Sequence, residues 1–524
     1  MTLPTSTAAF APSFPETFNM ARYFLDDRIE EGRGDALAVI DDAGQYTYRE
    51  LQALANRLGN ALSARGIGPE DRVLIALTDR VEFAATFFGV LKIGAVVTMV
   101  NPELPDGDYH HYLSYTRARA VVCERALADR IRPLLAGSPL IRAVITVDGA
   151  GGGGQSWEES VGRASPELTA YETSRDDPSV WLFTSGSTGK PKAAVHLHHD
   201  FPYNTECYAK QVLNITAGDR TLGVPKLFFG YATGSNLMFP FAVGATTILF
   251  QPKATPELLF ELCARHRPTL LTSVPTMINK MVQHPSAPAS LAPLRVSISA
   301  GEALPEELYR RWKQRFDVEI LDGIGSAELF HIYISNRFGE VRPGSLGRLV
   351  PGYDARIVGT DGNDVAPGEI GTLWVKGDSA ALCYWQAHEK SKEVLRGDWV
   401  VSGDLFCRDA EGYFYYAGRA DDLLKVGGIW VAPTEVESCL MRHANVLEAA
   451  VVGFEDGDGL VKPLAYVVPR DATASDELGQ SILAHCKREL ARYKAPHKIE
   501  FVDALPRSDR GKILRRELRT EQPK

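Results

Sequence analysis

A run of small hydroxyl residues, glycines and lysines is the segment of the sequence best suited to bind phosphate. Nine residues form it: Thr184, Ser185, Gly186, Ser187, Thr188, Gly189, Lys190, Pro191 and Lys192. Glycine lets backbone donors come close to phosphate oxygens, hydroxyl groups add further donors, and lysines add positive charge. The apolar run Val180–Phe183 comes directly before and reads as a strand. We therefore predict a phosphate-binding loop that follows a strand.

Two other enzyme motifs share part of this segment, but neither fits it. In a Walker A loop the glycines stand further apart and Ser or Thr follows the lysine, whereas Pro191 follows Lys190 here. Ser187 and Lys190 also spell the S-x-x-K motif of penicillin-binding enzymes. That motif needs a helix through the lysine, which Pro191 disfavours. A plain polar turn remains as the structural alternative.

A second glycine-rich segment, Gly149–Gly154, spells the G-x-G-x-x-G pattern of dinucleotide-binding folds. That pattern requires a helix that starts at the glycines. Four consecutive glycines weaken any helix at this place, so we interpret the segment as a surface loop.

Apolar periodicity predicts the elements that must position these loops. Thr47 and Glu50 have the spacing of a capping box, which marks the start of a helix. Further helices are predicted at Val81–Ile93, Pro256–His266, Pro305–Phe316, Thr434–Met441 and Ser481–Tyr493. Strands are predicted at Val73–Leu77, Ala95–Val100, Val180–Phe183, Ala449–Val452, Ala465–Val468 and Ile499–Val502. This alternation of helices and strands is typical of an α/β fold.

The phosphate-binding segment resembles the phosphate-loop motif of the adenylate-forming enzymes, which comprise acyl- and aryl-CoA ligases, peptide-synthetase adenylation domains and luciferases. Other blocks of that family follow in its order: Lys226–Tyr231, Ser299–Pro305, Asp322–Glu328, Val401–Asp404, Gly418–Lys425 and Pro506–Ile513. The resemblance covers the chain from about Tyr46 to Arg515. It implies that an acid reacts with ATP to form an acyl-adenylate, which then passes its acyl group to the thiol of coenzyme A.

The pattern of strands and turns along the chain indicates the domain organisation, and the resemblance implies that the small domain moves. We expect a large N-terminal domain, residues 1–420, with mixed α/β sheets and a β-rich subdomain between Gly344 and Gly418. A small, mobile C-terminal α/β lid domain, residues 421–524, should follow. Asp421 aligns with the hinge residue of the family, about which the small domain rotates between the two steps of the reaction.

The resemblance assigns catalytic and nucleotide-binding roles residue by residue. Lys512 is the implied adenylation lysine, and Glu328 is the implied catalytic carboxylate and magnesium ligand. Asp404 would accept hydrogen bonds from the ribose hydroxyls, with Arg419 beside it. The remaining implied ATP or CoA contacts outside the phosphate loop are Gly301, Glu302, Asp322, Gly323, Ile324, Lys425, Gly427 and Gly428. The implied cofactors are ATP, Mg²⁺ and coenzyme A.

Within the family the chain looks closest to the benzoate-CoA ligases, so a small aromatic carboxylic acid is the implied substrate. The implied acid-binding residues are Phe228, Phe229, Gly230, Tyr231, Ala300, Gly325 and His331. Phe228 could instead be an ordinary core aromatic residue, and His331 a core histidine with its hydrogen bonds satisfied.

Two departures from the benzoate-enzyme pattern leave the exact acid open. Ala327 stands where the family usually has a threonine that contacts the α-phosphate, a loss of about 1 kcal/mol. The segment 231–236 also differs from the usual Tyr-Gly-Leu-Gly-Asn. Benzoate and anthranilate (2-aminobenzoate) are therefore both candidates, and 4-hydroxybenzoate is a weaker one.

Composition and charge argue against several other classes of protein for this chain. The net charge of −9 gives no basic face for nucleic acid. No apolar run is long enough to cross a membrane, and Met1–Pro15 lacks the pattern of a secretory signal. The 7 cysteines are scattered, as in a reduced cytoplasmic protein. A homodimer, a carrier protein as the final acceptor, and a sensor without catalysis remain as alternatives.

Overall fold

The computed structural model describes residues 10–185, 191–419, 424–426, 429–456, 460–470, 474–507 and 513–520. Two large, mostly parallel sheets with flanking helices form the large N-terminal domain, a five-stranded sheet forms its β-rich part, and a small α/β domain follows. This architecture confirms the predicted α/β fold. The predicted boundary at residue 421 lies outside the described residues and stays a prediction.

The first large sheet has eight strands and carries the phosphate-loop segment. In their order across the sheet, the strands are Cys383–Tyr384, Pro191–Leu197, Pro178–Ser185, Val96–Met99, Arg72–Ala76, Ala120–Glu124, Ala143–Val147 and Gln155–Ser156. The strands from Pro178–Ser185 to Gln155–Ser156 run parallel, and the two on the other side pair antiparallel. Every residue of Val96–Met99 is buried, as expected for a strand covered on both faces.

The second large sheet has nine strands and carries the predicted adenine and acid segments. In order, the strands are Arg348–Leu349, Ile332–Ser335, Glu319–Gly325, Val296–Ser299, Leu270–Ser273, Arg220–Gly223, Thr246–Ile248, Leu37–Ile40 and Gln45–Thr47. The six central strands are parallel, and antiparallel strands close both edges. The carboxyl ends of Val296–Ser299 and Glu319–Gly325 therefore meet at one edge, where parallel sheets bind ligands.

Three smaller sheets complete the described part of the fold. The five-stranded sheet comprises Asp354–Val358, Gly371–Lys376, Trp399–Arg408, Leu395–Arg396 and Phe414–Arg419. Beyond it come a two-stranded sheet, Leu424–Val426 with Ile429–Val431, and a three-stranded sheet, Val446–Glu455, Val461–Pro469 and Lys498–Phe501. The three-stranded sheet and its helices have a core of their own, as an independent small domain requires.

Helices cover the sheets, and most of the predicted bounds hold to within two residues. The α-helices are Tyr48–Ser63, Val81–Lys92, Asp106–Thr116, Arg125–Arg130, Arg132–Ala136, Trp157–Ser160, Asp200–Asn204, Gly230–Thr233, Phe239–Phe241, Pro256–His266, Pro275–Gln283, Glu306–Phe316, His388–Val394, Pro433–Met441, Asp476–Glu489 and Arg515–Thr520. Short π-helical turns are Arg22–Asp26, Ile29–Arg33, Thr205–Lys210 and Gly234–Met238. Thr47 and Glu50 form the predicted capping box.

One predicted helix was misplaced. The helix predicted at Ser481–Tyr493 is observed at Asp476–Glu489, because the side chain of Ser475 accepts a hydrogen bond from the backbone N–H of Leu478 and starts the helix earlier. The segment Gly149–Gly154 forms a loop, with positive φ at Gly149, Gly152 and Gly153, so the dinucleotide motif is excluded there. In the described part of the chain, no helix has the length and apolar character that a membrane span requires.

Candidate active site

The two strands that flank the predicted phosphate loop pair antiparallel with each other. Thr184 at the end of strand Pro178–Ser185 pairs with Lys192 at the start of strand Pro191–Leu197, and both residues are half-buried. The residues between the two strands, Gly186, Ser187, Thr188, Gly189 and Lys190, lie outside the described residues. The strand before the loop is the one that the sequence predicts.

Glu328, the predicted magnesium ligand, lies in a turn between strands Glu319–Gly325 and Ile332–Ser335. The turn is bonded to a neighbouring segment of chain, residues 379–384. The backbone N–H of Ala381 donates to the Glu328 carbonyl oxygen at 2.8 Å, and the hydroxyl of Tyr384 donates to the Glu328 carboxylate at 2.5 Å. The carboxylate is therefore held in one orientation.

A buried histidine–aspartate pair connects this turn to the phosphate-loop hairpin. His196 Nε2 donates to the carbonyl oxygen of Ala327 at 2.7 Å, and His196 Nδ1 lies 2.7 Å from Asp200 Oδ2. Both side chains are fully buried, and burial raises the pKa of the Asp200 carboxyl group. The pair holds the residue before Glu328 against the strand that follows the phosphate loop.

The sequence interpretation missed Tyr384, His196 and Asp200. The cluster His196, His198, His199 and Asp200 directly after the phosphate loop was the available signal for the pair. No local sequence pattern could have linked Tyr384 to Glu328, because 56 residues separate the two along the chain.

The predicted adenine-site residues lie at the carboxyl ends of two neighbouring strands. Ser299 pairs in register with Asp322, and Gly301 follows in a turn with φ of +87°, a conformation that favours glycine. Glu302 Oε2 accepts hydrogen bonds from the hydroxyl of Thr276 at 2.8 Å and from its backbone N–H at 3.3 Å. Gly323 and Ile324 continue the Asp322 strand.

Asp322 has the electrostatics of a buried neutral acid. Its side chain is buried, and burial raises its pKa to about 8. Hydrogen bonds from the Ser299 side chain and from the backbone of Gly323 and Leu304 lower the pKa in part, but the Oδ1 atom has no hydrogen-bond partner among the described residues. An unsatisfied polar atom at the end of a parallel strand is suited to pair with a ligand.

The predicted acid-site residues Tyr231 and His331 are in direct contact. The Nε2–H of His331 donates to the carbonyl oxygen of Tyr231 at 2.9 Å, and the two ring centroids are 5.3 Å apart. Phe239 and Tyr208 pack on the same imidazole ring. Burial lowers the pKa of His331 to about 4, so the ring is neutral and Nδ1 is an acceptor. Within the described residues Nδ1 has no hydrogen-bond partner.

Glycines leave room for this histidine. A β-carbon at Gly325 would lie 2.5 Å from the His331 carbonyl oxygen, and one at Gly234 would lie 2.4 Å from its Cδ2 atom. A larger residue at Gly234 would displace the ring, and one at Gly325 would collide with the backbone of His331. Both glycines are therefore in contact with His331.

The aromatic segment of the predicted acid site packs between the two large sheets. Phe228 and Phe229 contact each other with ring centroids 4.6 Å apart, in a turn that precedes helix Gly230–Thr233, so Phe228 does not belong to a core strand. Gly230 faces Leu182 of the strand before the phosphate loop. The hydroxyl of Tyr231 donates to the Ser273 carbonyl oxygen at 3.2 Å. Ala300 is buried at the end of strand Val296–Ser299.

Asp404 and Glu328 both act electrostatically on the buried hydroxyl group of Tyr333. Burial raises the pKa of the Tyr333 hydroxyl, and the negative charges of Asp404 and Glu328 raise it further. Asp404 and Arg419 pair in register across two antiparallel strands. The backbone of Lys425 belongs to strand Leu424–Val426. Asp421, Gly427, Gly428 and Lys512 lie outside the described residues, so their predicted roles stay predictions.

The donor set fits a magnesium ion that arrives with a nucleotide. No group of three or more potential metal-ligating side chains occurs within the residues that the structure describes. Glu328 supplies a single, oriented carboxylate. Mg²⁺ commonly takes one or two protein carboxylates, with phosphates and water as its other ligands, so a lone carboxylate beside a phosphate loop is compatible with it.

Comparisons with known proteins identify the family. Residues 26–385 match the AMP-binding enzyme family, and residues 435–512 match the AMP-binding enzyme C-terminal domain. A benzoate–CoA ligase from Thauera aromatica is 43% identical over 514 residues, which is 97% of each chain.

Two solved structures have the same fold over almost the whole chain. The anthranilate CoA ligase AuaEII, solved in complex with anthranoyl-AMP, is 36% identical with a TM-score of 0.91, and the match covers 97% of this chain and 98% of that one. A benzoate CoA ligase from Burkholderia xenovorans LB400 is 41% identical with a TM-score of 0.89, covering 96% and 100%. The chain therefore belongs to the AMP-binding enzyme family.

Proposed function

We propose that this protein is an ATP-dependent aryl-CoA ligase that converts a benzoate-type acid to its coenzyme A thioester through an aryl-adenylate. The observation that carries the proposal is the turn that holds Glu328 and His331. It is bonded to the phosphate-loop hairpin through His196 and to the aromatic segment through Tyr231. These two bonds support the proposal that the predicted phosphate, metal and acid subsites belong to one site.

The chemistry follows from the charges at this site. A carboxylate and ATP repel each other, so positive groups must act where negative charge develops. We assign this task to Lys512 and the phosphate-loop donors, while Mg²⁺ held by Glu328 would neutralise phosphate charge. A carboxylate oxygen attacks the α-phosphorus, pyrophosphate leaves, and the resulting mixed anhydride is attacked by the thiol of coenzyme A. AMP departs and the thiol proton is lost to solvent.

The acid pocket supports an aromatic acid. Tyr231 and His331 contact each other, and two glycines lie against His331, so the aromatic lining of the proposed site suits one ring better than a long alkyl chain. The acceptor at His331 Nδ1 would pair with an ortho-amino group if it faces the ring, so we propose benzoate and anthranilate as the two substrates to distinguish.

The test is a competition assay that detects CoA thioesters by mass spectrometry. The protein is incubated with ATP, Mg²⁺, coenzyme A and equal amounts of benzoate, anthranilate, 4-hydroxybenzoate and octanoate. We expect one aryl-CoA product to dominate. Octanoyl-CoA as the main product would contradict the proposed acid class. Absence of both thioester and pyrophosphate would contradict the ligase and favour the sensor.

Two finer proposals concern the partners. Pyrophosphate release without a CoA product would indicate that the acyl group goes to a carrier protein, and a phosphopantetheine-bearing carrier would then replace coenzyme A in the assay. We also propose a cytoplasmic homodimer, which sedimentation of the purified protein would test through its mass.

A further inference from the structure

Arg507 connects the small domain to the large one. It lies in the small domain, and its Nη1 donates to the hydroxyl of Thr276 at 3.0 Å and lies 3.8 Å from Glu302 Oε1. Its Nη2 donates to the Glu448 carboxylate at 3.1 Å. Thr276 and Glu302 belong to the large domain, and Glu448 belongs to strand Val446–Glu455 of the small one. A single guanidinium thus bridges two carboxylates across the domain interface.

The environment strengthens these contacts. The side chains of Arg507, Glu302 and Glu448 are 23%, 18% and 26% exposed, so water screens them less than a surface pair. The Thr276 hydroxyl donates to Glu302 Oε2 and accepts from Arg507, which joins the charges into one network. The planar guanidinium has separate donors for both sides.

Arg507 also stands at the base of the segment that leads to Lys512. Arg507 and Ile513 form an antiparallel bridge, and the backbone N–H of Leu514 donates to the Pro506 carbonyl oxygen at 2.9 Å. The chain on both sides of residues 508–512 is therefore held together. The contacts of Arg507 with Thr276 and Glu302 therefore also hold the start of the segment that carries the predicted adenylation lysine.

We propose that Arg507 is a positioning residue for the first half-reaction. Together with Thr276, Glu302 and Glu448 it forms an interdomain latch that holds the small domain in the orientation for adenylation and releases it for thioester formation. This inference rests on the proposed function, because it assumes that adenylation and thioester formation use different domain orientations.

The test measures the two half-reactions separately in the full-length enzyme. Adenylation is followed by pyrophosphate release with benzoate, and thioester formation by the reaction of supplied benzoyl-adenylate with coenzyme A. In Arg507→Ala we expect the kcat of adenylation to fall about tenfold, while the KM for ATP and the rate of thioester formation stay within twofold of wild type. Arg507→Lys should recover part of the loss, because it keeps the charge.

Three further variants distinguish loss of the latch from a general loss of stability or activity. Thr276→Val removes the hydroxyl from the large-domain side and should reproduce the selective loss. Lys494→Ala removes a cation that pairs with Glu435 inside the small domain at 2.7 Å and should change neither half-reaction. Lys512→Ala provides the reference for a loss confined to adenylation.

Three results for Arg507→Ala would overturn the latch: an equal loss in both half-reactions, a loss in thioester formation alone, or no loss. These outcomes differ from a failure of the proposed function. In that case the wild-type enzyme itself would form no aryl-CoA, whereas the latch can fail in a fully active ligase.

Discussion

Asp322 shows how one buried side chain gives the protein a specific response to pH. Burial raises its pKa from 3.8 to about 8, so the native protein keeps a proton that the unfolded chain releases above about pH 4. The contribution of this group to stability is therefore complete below its unfolded pKa and is lost as the pH rises towards its folded pKa.

Asp322→Asn should remove this pH dependence. Because asparagine does not ionise, the ligand-free variant should gain stability relative to wild type as the pH rises from 5 to 8, by about 1 kcal/mol per pH unit. Urea unfolding at several pH values measures the difference. Parallel curves for the two proteins would show that Asp322 ionises normally in the native state.

At the level of an element, the turn between strands Glu319–Gly325 and Ile332–Ser335 is shaped by hydrogen bonds from other parts of the chain. It has no regular structure of its own, so bonds from elsewhere must define it. His196 holds Ala327, and Ser379 donates to the Leu329 carbonyl oxygen at 3.0 Å. Tyr384 holds the Glu328 carboxylate. Preorganisation of this kind keeps a catalytic carboxylate in place before substrate arrives.

Tyr384→Phe should weaken the magnesium site without unfolding it. The variant removes only the hydroxyl that donates to Glu328, and a hydrogen bond to a charged group is worth about 1.5–3 kcal/mol. We expect the Mg²⁺ concentration for half-maximal adenylation to rise roughly tenfold or more. A titration of pyrophosphate release against Mg²⁺ measures this.

Tyr48→Phe is the matched control for that substitution. The hydroxyl of Tyr48 donates to the Ala245 carbonyl oxygen at 2.6 Å in the core, so its loss should lower the melting temperature and leave the Mg²⁺ titration unchanged. Equal Mg²⁺ titrations for wild type and Tyr384→Phe would mean that Tyr384 does not orient Glu328.

At the level of the whole molecule, few residues separate the last strand of the five-stranded sheet from the strands that precede the small domain. Strand Phe414–Arg419 is followed by strand Leu424–Val426, with four residues between them. The hydroxyl of Thr434 also reaches the Tyr416 carbonyl oxygen at 3.4 Å. A rotation of the small domain would have to occur within residues 420–423, where the sequence places the hinge residue Asp421.

Asp421→Pro should therefore stall the enzyme between its two steps. Proline fixes φ near −65°, which would hinder rotation and leave the adenylation orientation available. We expect a burst of pyrophosphate equal to about one per enzyme molecule, followed by slow thioester formation. Asp421→Ala is the control, since it removes the side chain and leaves the backbone free. Normal turnover of Asp421→Pro would place the hinge elsewhere.

Short-range sequence patterns were sufficient to predict most helices and strands and to recognise the family. Capping residues, apolar periodicity and the block at residues 184–192 are short-range patterns, and they placed strand Pro178–Ser185 and helix Pro256–His266 correctly. The order of the blocks along the chain then indicated one site. The error at helix Asp476–Glu489 arose because Ser475 supplies the cap and the predicted start ignored it.

Only the tertiary structure decided which side chains complete that site. Tyr384 reaches Glu328 across 56 residues, His196 reaches Ala327 across 131, and Arg507 reaches Thr276 across 231. Such contacts depend on how the sheets and domains pack, so the periodicity of apolar residues along the chain cannot predict them. The same holds for the pKa values of Asp322 and His331, because burial by distant elements shifts them.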